Sequence, residues 1–202
     1  MKLILISKPT FFVEEDKILT TLFEEGLEIL HLRKPDTPPV YAERLLTLIP
    51  EKFRRRIVVH SNFYLKDEYK LKGIHLNKRN PRPPENYSGH ISCSCHTIEE
   101  VTSRKGPCSY VFLSPIFDSI SKNGYNSPFT LDQLKAASKS GIIDKKVIAL
   151  GGINEENLPK IKDLGFGGAA VLGSLWEKFD PASDYSYRNL IEHFQKLKRL
   201  AE

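Results

Sequence analysis

The stretch Lys146-Val147-Ile148-Ala149-Leu150-Gly151-Gly152-Ile153-Asn154 is the segment that decides the fold of this chain. It opens with an apolar run of strand length, breaks at two glycines, and reaches an asparagine able to cap the helical pattern from Glu155 to Leu164. Because glycine has no Cβ, backbone N–H groups at the break can approach an anion closely, and a helix start adds unpaired donors. The pattern also fits an ordinary tight turn between a strand and a helix, so by itself it leaves both interpretations open.

A second segment of the same kind follows later in the chain, Ala169-Ala170-Val171-Leu172-Gly173-Ser174. Two neighbouring glycine loops at strand ends are typical of a phosphate held between strands 7 and 8 of an eight-stranded barrel. The sequence therefore predicts phosphate contacts at Gly151, Gly152, Gly173 and Ser174.

Eight short apolar segments alternate with helical patterns along the chain. They are Leu3 to Ser7, Glu28 to Arg33, Arg56 to Ser61, Ile74 to Leu76, Ile91 to His96, Tyr110 to Phe117, Lys146 to Leu150 and Gly168 to Leu172. Strands separated by helices favour a parallel sheet, and eight such units close most economically into a (β/α)₈ barrel. A doubly wound open sheet is the alternative, but its glycine fingerprint would follow an early strand. The prediction is a single α/β TIM-barrel domain over residues 1–202.

The helical patterns lie between these strands and have recognisable ends. They cover residues 13–26, 39–49, 63–71, 98–103, 131–140, 155–164 and 187–201. Thr97 and the pair Thr130 and Gln133 are predicted to cap two of them. Residues 80–89 are rich in proline and polar side chains and are predicted to form a loop in place of a helix.

The composition is that of a globular protein, with 40% hydrophobic and 27% charged residues among 202. The short apolar run at the N-terminus is predicted to be a strand rather than a signal peptide, and no run is long enough to cross a membrane, so a cytoplasmic protein is expected. The net charge of +5 is spread over the chain without a nucleic-acid-binding motif, and suits a small phosphorylated ligand. Cys93 and Cys95 share a strand face and are predicted to be buried apolar residues, not metal ligands.

Basic and hydroxyl side chains gather at the predicted carboxyl ends of the strands, where barrel enzymes carry their chemistry. Alternation places His31 and Arg33 on the face towards the barrel interior. His96 directly follows a strand and can titrate near neutral pH, which suits an acid–base group. Any one of these histidines could equally be structural, and His75, inside its strand, favours that interpretation. Their convergence, with almost no carboxylates, favours a site for an anionic substrate.

These segments resemble the thiamine phosphate synthase/TenI family of (β/α)₈ proteins along nearly the whole chain. The matching blocks are Leu30-His31-Leu32-Arg33-Lys34, Gly73-Ile74-His75-Leu76, Ser94-Cys95-His96-Thr97, Ser114-Pro115-Ile116-Phe117 with Ser119, Ser121 and Lys122, and Ala149-Leu150-Gly151-Gly152-Ile153. Each block is weak alone, but five in the same order are a strong signal of the family.

The resemblance implies a thiazole phosphate held at the two glycine loops. The family's synthase joins an aminopyrimidine diphosphate to a thiazole phosphate, with Mg²⁺ and release of diphosphate; its TenI branch isomerises a carboxylated thiazole phosphate by proton transfer without a metal. The resemblance further implies substrate contacts at Arg33, Ser94, Ser119, Ser121 and Lys122.

The chain departs from the synthase pattern where the family holds Mg²⁺. Where the family has an Asn-Asp pair after strand 3, this chain has His60-Ser61. Where the family has an Asp after strand 4, this chain has Asn80. Mg²⁺ needs hard oxygen ligands, so no metal site and no cofactor are expected. The family has a second basic residue after strand 2. This chain has Pro35 at that position, unless Lys34 takes the role of the basic residue.

The sequence therefore favours a TenI-like thiazole tautomerase in which His96 transfers the proton, assisted by His31 or Ser94. The alternatives are a synthase that uses Mg²⁺ and a non-catalytic sensor of a phosphate ligand on the same barrel. The expected partner is a small phosphorylated substrate, without nucleic acid or membrane. The sequence leaves two questions open: whether the protein forms a homo-oligomer, and whether the loop from Asp118 to Pro128 closes over the site.

Overall fold

The chain folds into a closed barrel of eight parallel strands in sequence order, as seen in a computed structural model. The structure describes residues 1–118, 127–177, 179–180 and 182–202, and only the backbone of residues 184 and 185. Each strand pairs in parallel with the next along the chain, and the last pairs with the first. The predicted (β/α)₈ fold is confirmed.

The strands are short, and each predicted strand is present. They are β1 Lys2–Ile6, β2 Ile29–Leu32, β3 Ile57–Val59, β4 Gly73–Leu76, β5 His90–Cys95, β6 Tyr110–Leu113, β7 Val147–Leu150 and β8 Gly168–Val171. Strand β6 ends before the predicted Phe117, because Pro115 cannot donate to a sheet ladder.

The described helices are more numerous than the sequence predicted. They are α1 Glu15–Glu24, α2 Pro39–Leu48, α3 Glu51–Arg54, α4 Leu65–Glu68, α5 Ile98–Arg104, α6 Leu131–Lys139, α7 Leu158–Asp163, α8 Gly173–Trp176 and α9 Asp184–Ala201. Helices α3 and α8 were not predicted, since four residues are too few to show a helical period. Residues 80–89 hold neither helix nor strand, as predicted.

The predicted helix caps are confirmed in two cases and wrong in one. Thr130 and Gln133 form a complete capping box on α6, and the Thr97 side chain accepts a hydrogen bond from the Glu100 N–H at the start of α5. Asn154 does not cap a helix that begins at residue 155. Its Oδ1 instead accepts from the backbone N–H groups of Glu156 and Asn157, which forms a turn, and α7 begins later with Asn157 at its N-cap.

Strand alternation divides the apolar side chains between two cores. Outward-facing residues such as Leu5, Leu30 and Val111 pack under the helices in one large cluster, which includes the buried Cys93 and Cys95. A smaller cluster fills the barrel interior. No helix in the described ranges is long and apolar enough to cross a membrane.

The barrel interior is polar on one side and apolar on the other. The polar arc consists of side chains from β2, β4 and β5 and from the residue after β3: His31, His60, His75, Ser92 and Ser94. The apolar arc consists of side chains from β6 to β8 and β1: Phe112, Ile148, Ala170, Ile4 and Ile6. Ile29 of β2 and Val58 of β3 also belong to the apolar interior cluster, so the polar side is mixed. The polar arc lies beneath and beside the cavity that forms the candidate site.

Candidate active site

A cavity of about 470 Å³ opens at the carboxyl ends of the strands. This volume is within the range of small-molecule sites, and the position is where TIM barrels bind their ligands. Residues at or directly after the carboxyl ends of all eight strands line it. The cavity brings together most of the predicted site residues, namely Arg33, Ser94, His96, Gly151, Gly152 and Ser174.

The cavity is electropositive at its rim. Arg33, Lys34, Lys78 and Arg79 line it, and among the described residues its lining includes no aspartate or glutamate. Arg33 is half-buried, and burial, together with the nearby Arg79, lowers the pKa of its guanidinium. Arg79 also forms an ion pair with the exposed carboxylate of Asp36, with 3.1 Å between Nη1 and Oδ1. An anionic ligand is therefore the chemical match for this wall.

His96 presents one basic nitrogen to the cavity. Its Nδ1 lies 3.0 Å from the carbonyl oxygen of Ser114, which can only accept, so Nδ1 carries the proton and donates it. Nε2 is then the unprotonated nitrogen. The backbone N–H of His96 donates to the Glu100 carboxylate, which holds the end of β5 against α5. This arrangement fixes the tautomer that a general base requires.

The glycine pair after β7 adopts backbone conformations that favour glycine, with φ values of 97° at Gly151 and 63° at Gly152. A Cβ at Gly152 would lie 2.3 Å from the carbonyl oxygen of Asp118, and one at Gly151 would lie 2.7 Å from the Cβ of Pro115. The glycines therefore also allow the loop after β6 to pack closely. Within the described ranges, the N–H groups of Gly152 and Ile153 have no protein acceptor.

Helix α8 places the second glycine loop at the same wall. The N–H groups of Leu175 and Trp176 both donate to the Leu172 carbonyl, and those of Gly173 and Ser174 precede them in the first turn, where no helical acceptor exists. The Ser174 hydroxyl is buried without a hydrogen-bond partner among the described residues. A buried hydroxyl left unpaired is costly, and an acceptor bound in the cavity would satisfy it. Gly173 itself does not line the cavity.

Three histidines of the polar arc lie in contact beneath the cavity. His31 Nδ1 is 2.9 Å from His60 Nε2, and the rings of His60 and His75 stack with centroids 4.2 Å apart. His31 and His75 are fully buried, while His60 is 9% exposed and lines the cavity. Burial holds the pKa of all three imidazoles well below the usual value, so they are neutral at pH 7.

His31 was predicted to assist catalysis directly, and its position does not favour that role. It lies below the cavity without lining it, and its Nε2 is 2.6 Å from the hydroxyl of Tyr110 on the floor of the barrel. Strand alternation correctly predicted that the His31 side chain faces the barrel interior, but it could not predict how far below the cavity this side chain lies. Tyr110 and Ser92 were not singled out, although the alternation of Ser92, Ser94 and His96 could have indicated a polar inner face.

The described residues do not offer a Mg²⁺ site in the cavity. The three imidazoles lie close enough to share a metal ion, but five of their six nitrogens already bond each other or hydroxyl groups, and imidazole is a poor ligand for Mg²⁺. Where the family's carboxylates would stand, the cavity has Ser61 and Asn80, and the Asn80 amide donates to the backbone carbonyl of His60. This donor set does not fit a hard cation.

Lys34 does not substitute for the second basic residue of the family pattern. Its ammonium donates to the carbonyl oxygens of Lys8 and Thr10 and to the carboxylate of Glu15 at 2.5 Å. The pair is buried, and desolvation raises the pKa of Glu15 to about 7 despite the ammonium. Lys34 therefore ties the β1–α1 loop to β2 and is not free to bind a ligand. The predicted contacts Ser119, Ser121 and Lys122 lie outside the described residues.

The fold and the cavity define a class, namely TIM-barrel proteins with paired glycine loops after strands 7 and 8. The sequence profile described as thiamine monophosphate synthase matches residues 3–175, so the chain belongs to that family. It is thus an enzyme of a thiamine-biosynthesis family.

Individual relatives agree with this assignment. The crystal structure of a thiamine phosphate pyrophosphorylase from Bacteroides thetaiotaomicron is 62% identical, covers 99% of this chain and 97% of its own, and superposes with a TM-score of 0.92. A putative thiamine-phosphate synthase from Geobacter sulfurreducens is 25% identical over 77% of this chain and 76% of its own length. A thiamine-phosphate synthase from Latilactobacillus sakei is 34% identical, but the match spans only 41% of this chain and 37% of that protein.

Proposed function

We propose that this protein isomerises a carboxylated thiazole phosphate by proton transfer, as a tautomerase of the TenI type. The observation that carries the proposal is the composition of the cavity wall. It combines two glycine loops, guanidinium groups and an acid–base histidine, while its described lining lacks any carboxylate that could hold Mg²⁺. A proton transfer needs the glycine loops, the guanidinium groups and the histidine, and it does not need a carboxylate that holds Mg²⁺.

The phosphate is bound between the two glycine loops. Gly152 and Ile153 offer backbone donors on one side, and the buried Ser174 hydroxyl and the first turn of α8 offer donors on the other. Such donors are fixed before the ligand arrives, so binding requires little reorganisation. Arg33 lies on another part of the wall, where its planar fork suits the carboxylate of the thiazole.

His96 is the acid–base group. Its Nδ1–H is held by the Ser114 carbonyl, so the free Nε2 removes a proton from the thiazole and then returns it at the position that makes the ring aromatic. The two steps together leave the number of protons on the ligand unchanged, and the reaction requires no metal.

The second candidate is thiamine-phosphate synthase activity. Two observations favour it: the relatives carry that name or its synonym, and Arg33, Lys78 and Arg79 together could neutralise a diphosphate. The described cavity supplies no ligand set for the metal that usually assists diphosphate departure.

One experiment separates these functions. The protein is incubated with the carboxylated thiazole phosphate in the presence of EDTA, and with the aminopyrimidine diphosphate and thiazole phosphate in the presence of Mg²⁺; isomer and diphosphate are measured. We expect isomerisation in EDTA and a loss of about 10²–10⁴-fold in kcat for His96→Gln. Glu99→Gln, on the exposed side of α5, is the matched control and should keep wild-type kcat.

Each other outcome has a defined meaning. Diphosphate release that depends on Mg²⁺, without isomerisation, overturns the tautomerase in favour of the synthase. Isomerisation that survives His96→Gln at the wild-type rate removes His96 from the mechanism. Tight binding of thiazole phosphate without either reaction identifies a sensor.

A further inference from the structure

One ring nitrogen of the polar arc is left for a ligand, namely Nδ1 of His60. His60 directly follows β3 and lines the cavity, and its Nε2 lies 2.9 Å from His31 Nδ1. Its Nδ1 has no hydrogen-bond partner within the described part of the chain. The groups behind His60 decide whether this nitrogen is a donor or an acceptor, because a neutral imidazole has one N–H and one bare nitrogen.

The phenol of Tyr110 fixes the direction of the hydrogen bonds behind His60. Its hydroxyl lies 2.6 Å from His31 Nε2, and the described residues offer it no other acceptor as close. This distance is shorter than the roughly 2.7–3.2 Å of N–H donors and within the range of O–H donors, so the phenol donates to Nε2. His31 then carries its proton on Nδ1 and donates to His60 Nε2, which leaves the proton of His60 on Nδ1. The end of this group at the cavity is therefore an N–H donor.

The neighbouring group, Ser94–His75–Ser92, has the opposite polarity at the cavity. The Ser92 hydroxyl donates its proton to the Ile74 carbonyl oxygen, 3.4 Å away, so its oxygen accepts from His75 Nδ1 at 2.9 Å. His75 Nε2 is then bare and accepts from the Ser94 hydroxyl, also at 2.9 Å. The Ser94 oxygen therefore offers only lone pairs to the cavity, and this wall accepts an anion at His60 but not at Ser94.

Backbone and ring contacts hold His60 in place at the cavity wall. The side-chain amides of Asn77 and Asn80, after β4, donate to the His60 carbonyl oxygen at 2.9 and 3.0 Å. The His60 N–H donates to the Leu32 carbonyl oxygen, which joins the end of β3 to the end of β2. The His60 ring stacks on that of His75, with centroids 4.2 Å apart. The donor is therefore positioned before a ligand arrives, and binding needs little reorganisation.

Arg33 stands beside this donor at the same wall. It directly follows Leu32, the residue that accepts from the His60 N–H, and both Arg33 and His60 line the cavity. Backbone atoms of Arg33 bond to the Ser7 hydroxyl, whereas its guanidinium makes no hydrogen bond with the described residues. A planar cation and a neutral N–H that meet at one wall are the donors that suit a carboxylate.

We propose that His60 and Arg33 form a carboxylate subsite in the cavity wall. Tyr110 and His31 are positioning residues that keep His60 as the N–H donor of this subsite. The inference rests on the proposed function, because it assigns the carboxylate of the thiazole ligand to this wall. His60 transfers no proton, so His96 stays the acid–base group.

The subsite also orients the ligand across the mouth of the barrel. The phosphate lies at the loops after β7 and β8, and the carboxylate lies after β2 and β3 on the opposite side. His96 follows β5, which stands between β3 and β7 in the closed barrel. The base therefore faces the atoms between the two anionic groups of the ligand.

The first test measures the polarity of the wall and uses no ligand. The full-length protein is labelled with ¹⁵N-histidine, and the nitrogen shifts show which ring nitrogen of each histidine carries the proton. We expect Nδ1 to be protonated and Nε2 to be bare in both His60 and His31 at neutral pH. In Tyr110→Phe, which removes the donor behind them, both rings should lose this fixed tautomer. A protonated Nε2 in His60 of the wild type overturns the proposal.

Tyr64→Phe is the matched control, since it removes the same hydroxyl from an exposed tyrosine that bonds to Glu43. Its histidine tautomers should be those of the wild type. A change of tautomer in Tyr64→Phe as well would mean that the effect is not specific to Tyr110, and would overturn the positioning role of Tyr110. The wild-type spectrum decides the polarity of the wall even if Tyr110→Phe fails to fold.

The second test measures recognition of the carboxylate by calorimetry. The two ligands are the aromatic carboxylated thiazole phosphate, which is the product of the proposed reaction, and the thiazole phosphate without the carboxylate. In His60→Ala we expect the Kd of the carboxylated ligand to rise about 10-fold or more, because a hydrogen bond to a charged group is lost. The Kd of the other ligand should stay the same. His60→Gln, whose amide restores an N–H donor, should recover part of the affinity, and equal weakening of both ligands in His60→Ala overturns the subsite.

A titration with acetate separates failure of this inference from failure of the proposed function. Acetate is a carboxylate without a thiazole or a phosphate, and it should shift the His60 Nδ1 resonance in the wild type but not in Arg33→Met. Sodium chloride at the same concentration is the control for ionic strength. If the protein binds neither thiazole ligand, the proposed function fails, whereas the acetate response still identifies the carboxylate subsite. A His60 resonance that acetate leaves unchanged in the wild type overturns the subsite.

Discussion

The two arcs of the barrel interior solve the same packing problem with opposite chemistry. The apolar arc fills its half with Ile4, Ile148, Phe112 and neighbours that need no partner. The polar arc fills its half with imidazoles and hydroxyls that are as deeply buried and are paired with one another. The apolar arc is stabilised by burial whatever the pH, whereas the polar arc is stable only while its rings stay neutral. The stability of one side of the barrel therefore depends on pH, whereas the stability of the other side does not.

The largest expected effect concerns the buried ion pair between Lys34, which follows β2, and Glu15 of α1. Replacing Lys34 by methionine leaves the Glu15 carboxylate buried without its cation, and we expect a loss of about 3–5 kcal/mol in the free energy of unfolding at pH 8. Urea denaturation measures it. Lys17→Met removes a cation from the exposed pair with Glu14 and is the control, which should leave the free energy of unfolding nearly unchanged because solvent screens this pair. Equal losses in both variants would contradict the assignment of Lys34 as a structural cation.

The second effect is acid destabilisation of the polar arc. The pKa values of His31, His60 and His75 are lowered in the folded protein, and burial also lowers that of His90 to about 4. Below about pH 6.5 the unfolded chain therefore binds more protons than the folded protein. As the pH is lowered, the free energy of unfolding decreases by about 1.4 kcal/mol per pH unit for each histidine. Glu15, whose pKa is raised to about 7, opposes this by one proton between about pH 4.5 and 7.

The net expectation is a loss of about 3 kcal/mol or more between pH 7.5 and 5.5, measured as urea midpoints at constant slope. A midpoint that does not change over this range would show that the rings are protonated in the folded state and would contradict the description of the polar arc.

The third effect tests the loop above the apolar arc. In Gly152→Ala, the new Cβ meets the Asp118 carbonyl oxygen in addition to the strain of a positive φ, so we expect a loss of about 2–3 kcal/mol and weaker binding of inorganic phosphate. Gly141 has a similar φ of 74°, but a Cβ at this position would have no atom within 4 Å. Gly141→Ala should therefore lose only about 1 kcal/mol and bind phosphate normally. If the two variants lose the same amount, the close contact at Gly152 is without consequence.

The smallest effect is a change within the apolar arc itself. Ile148→Val removes one buried methylene, and we expect a loss of about 1 kcal/mol by urea denaturation. The dependence of stability on pH should stay the same as in the wild type, because no ionisable group is touched. A changed pH dependence would mean that the two arcs are coupled, through the contact of Phe112 with the rings of His31 and His75.

Much of the architecture could be predicted from local patterns. Eight strand segments, their order, the capping box at Thr130 and the glycine loops after β7 and β8 all depend on neighbouring residues, and the structure has each of them. Helix α8 was missed because a single turn carries no period, and the start of α7 was misplaced because Asn154 competes as a turn former.

The site could be predicted only in part, for a related reason. Strand alternation gives the direction of a side chain but not its depth along the barrel, so His31 and His96 were grouped together although one is buried beneath the cavity and the other stands at its rim. Lys34 could not be distinguished from a ligand-binding cation, because its partner Glu15 is on another element.

The sequence by itself determined the barrel, the family and the wall of the cavity that carries the glycine loops, since these depend on periodicity and on residues close together in the chain. Only the tertiary structure decided which polar groups meet. Ser94, His75, Ser92, Tyr110, His31 and His60 come from four strands and from the residue that follows a fifth. Closing the barrel brings them into two hydrogen-bonded groups, Ser94–His75–Ser92 and Tyr110–His31–His60. Hydrogen bonds require atoms within about 3 Å, and contacts at that distance between strands far apart in sequence arise only when the whole sheet closes.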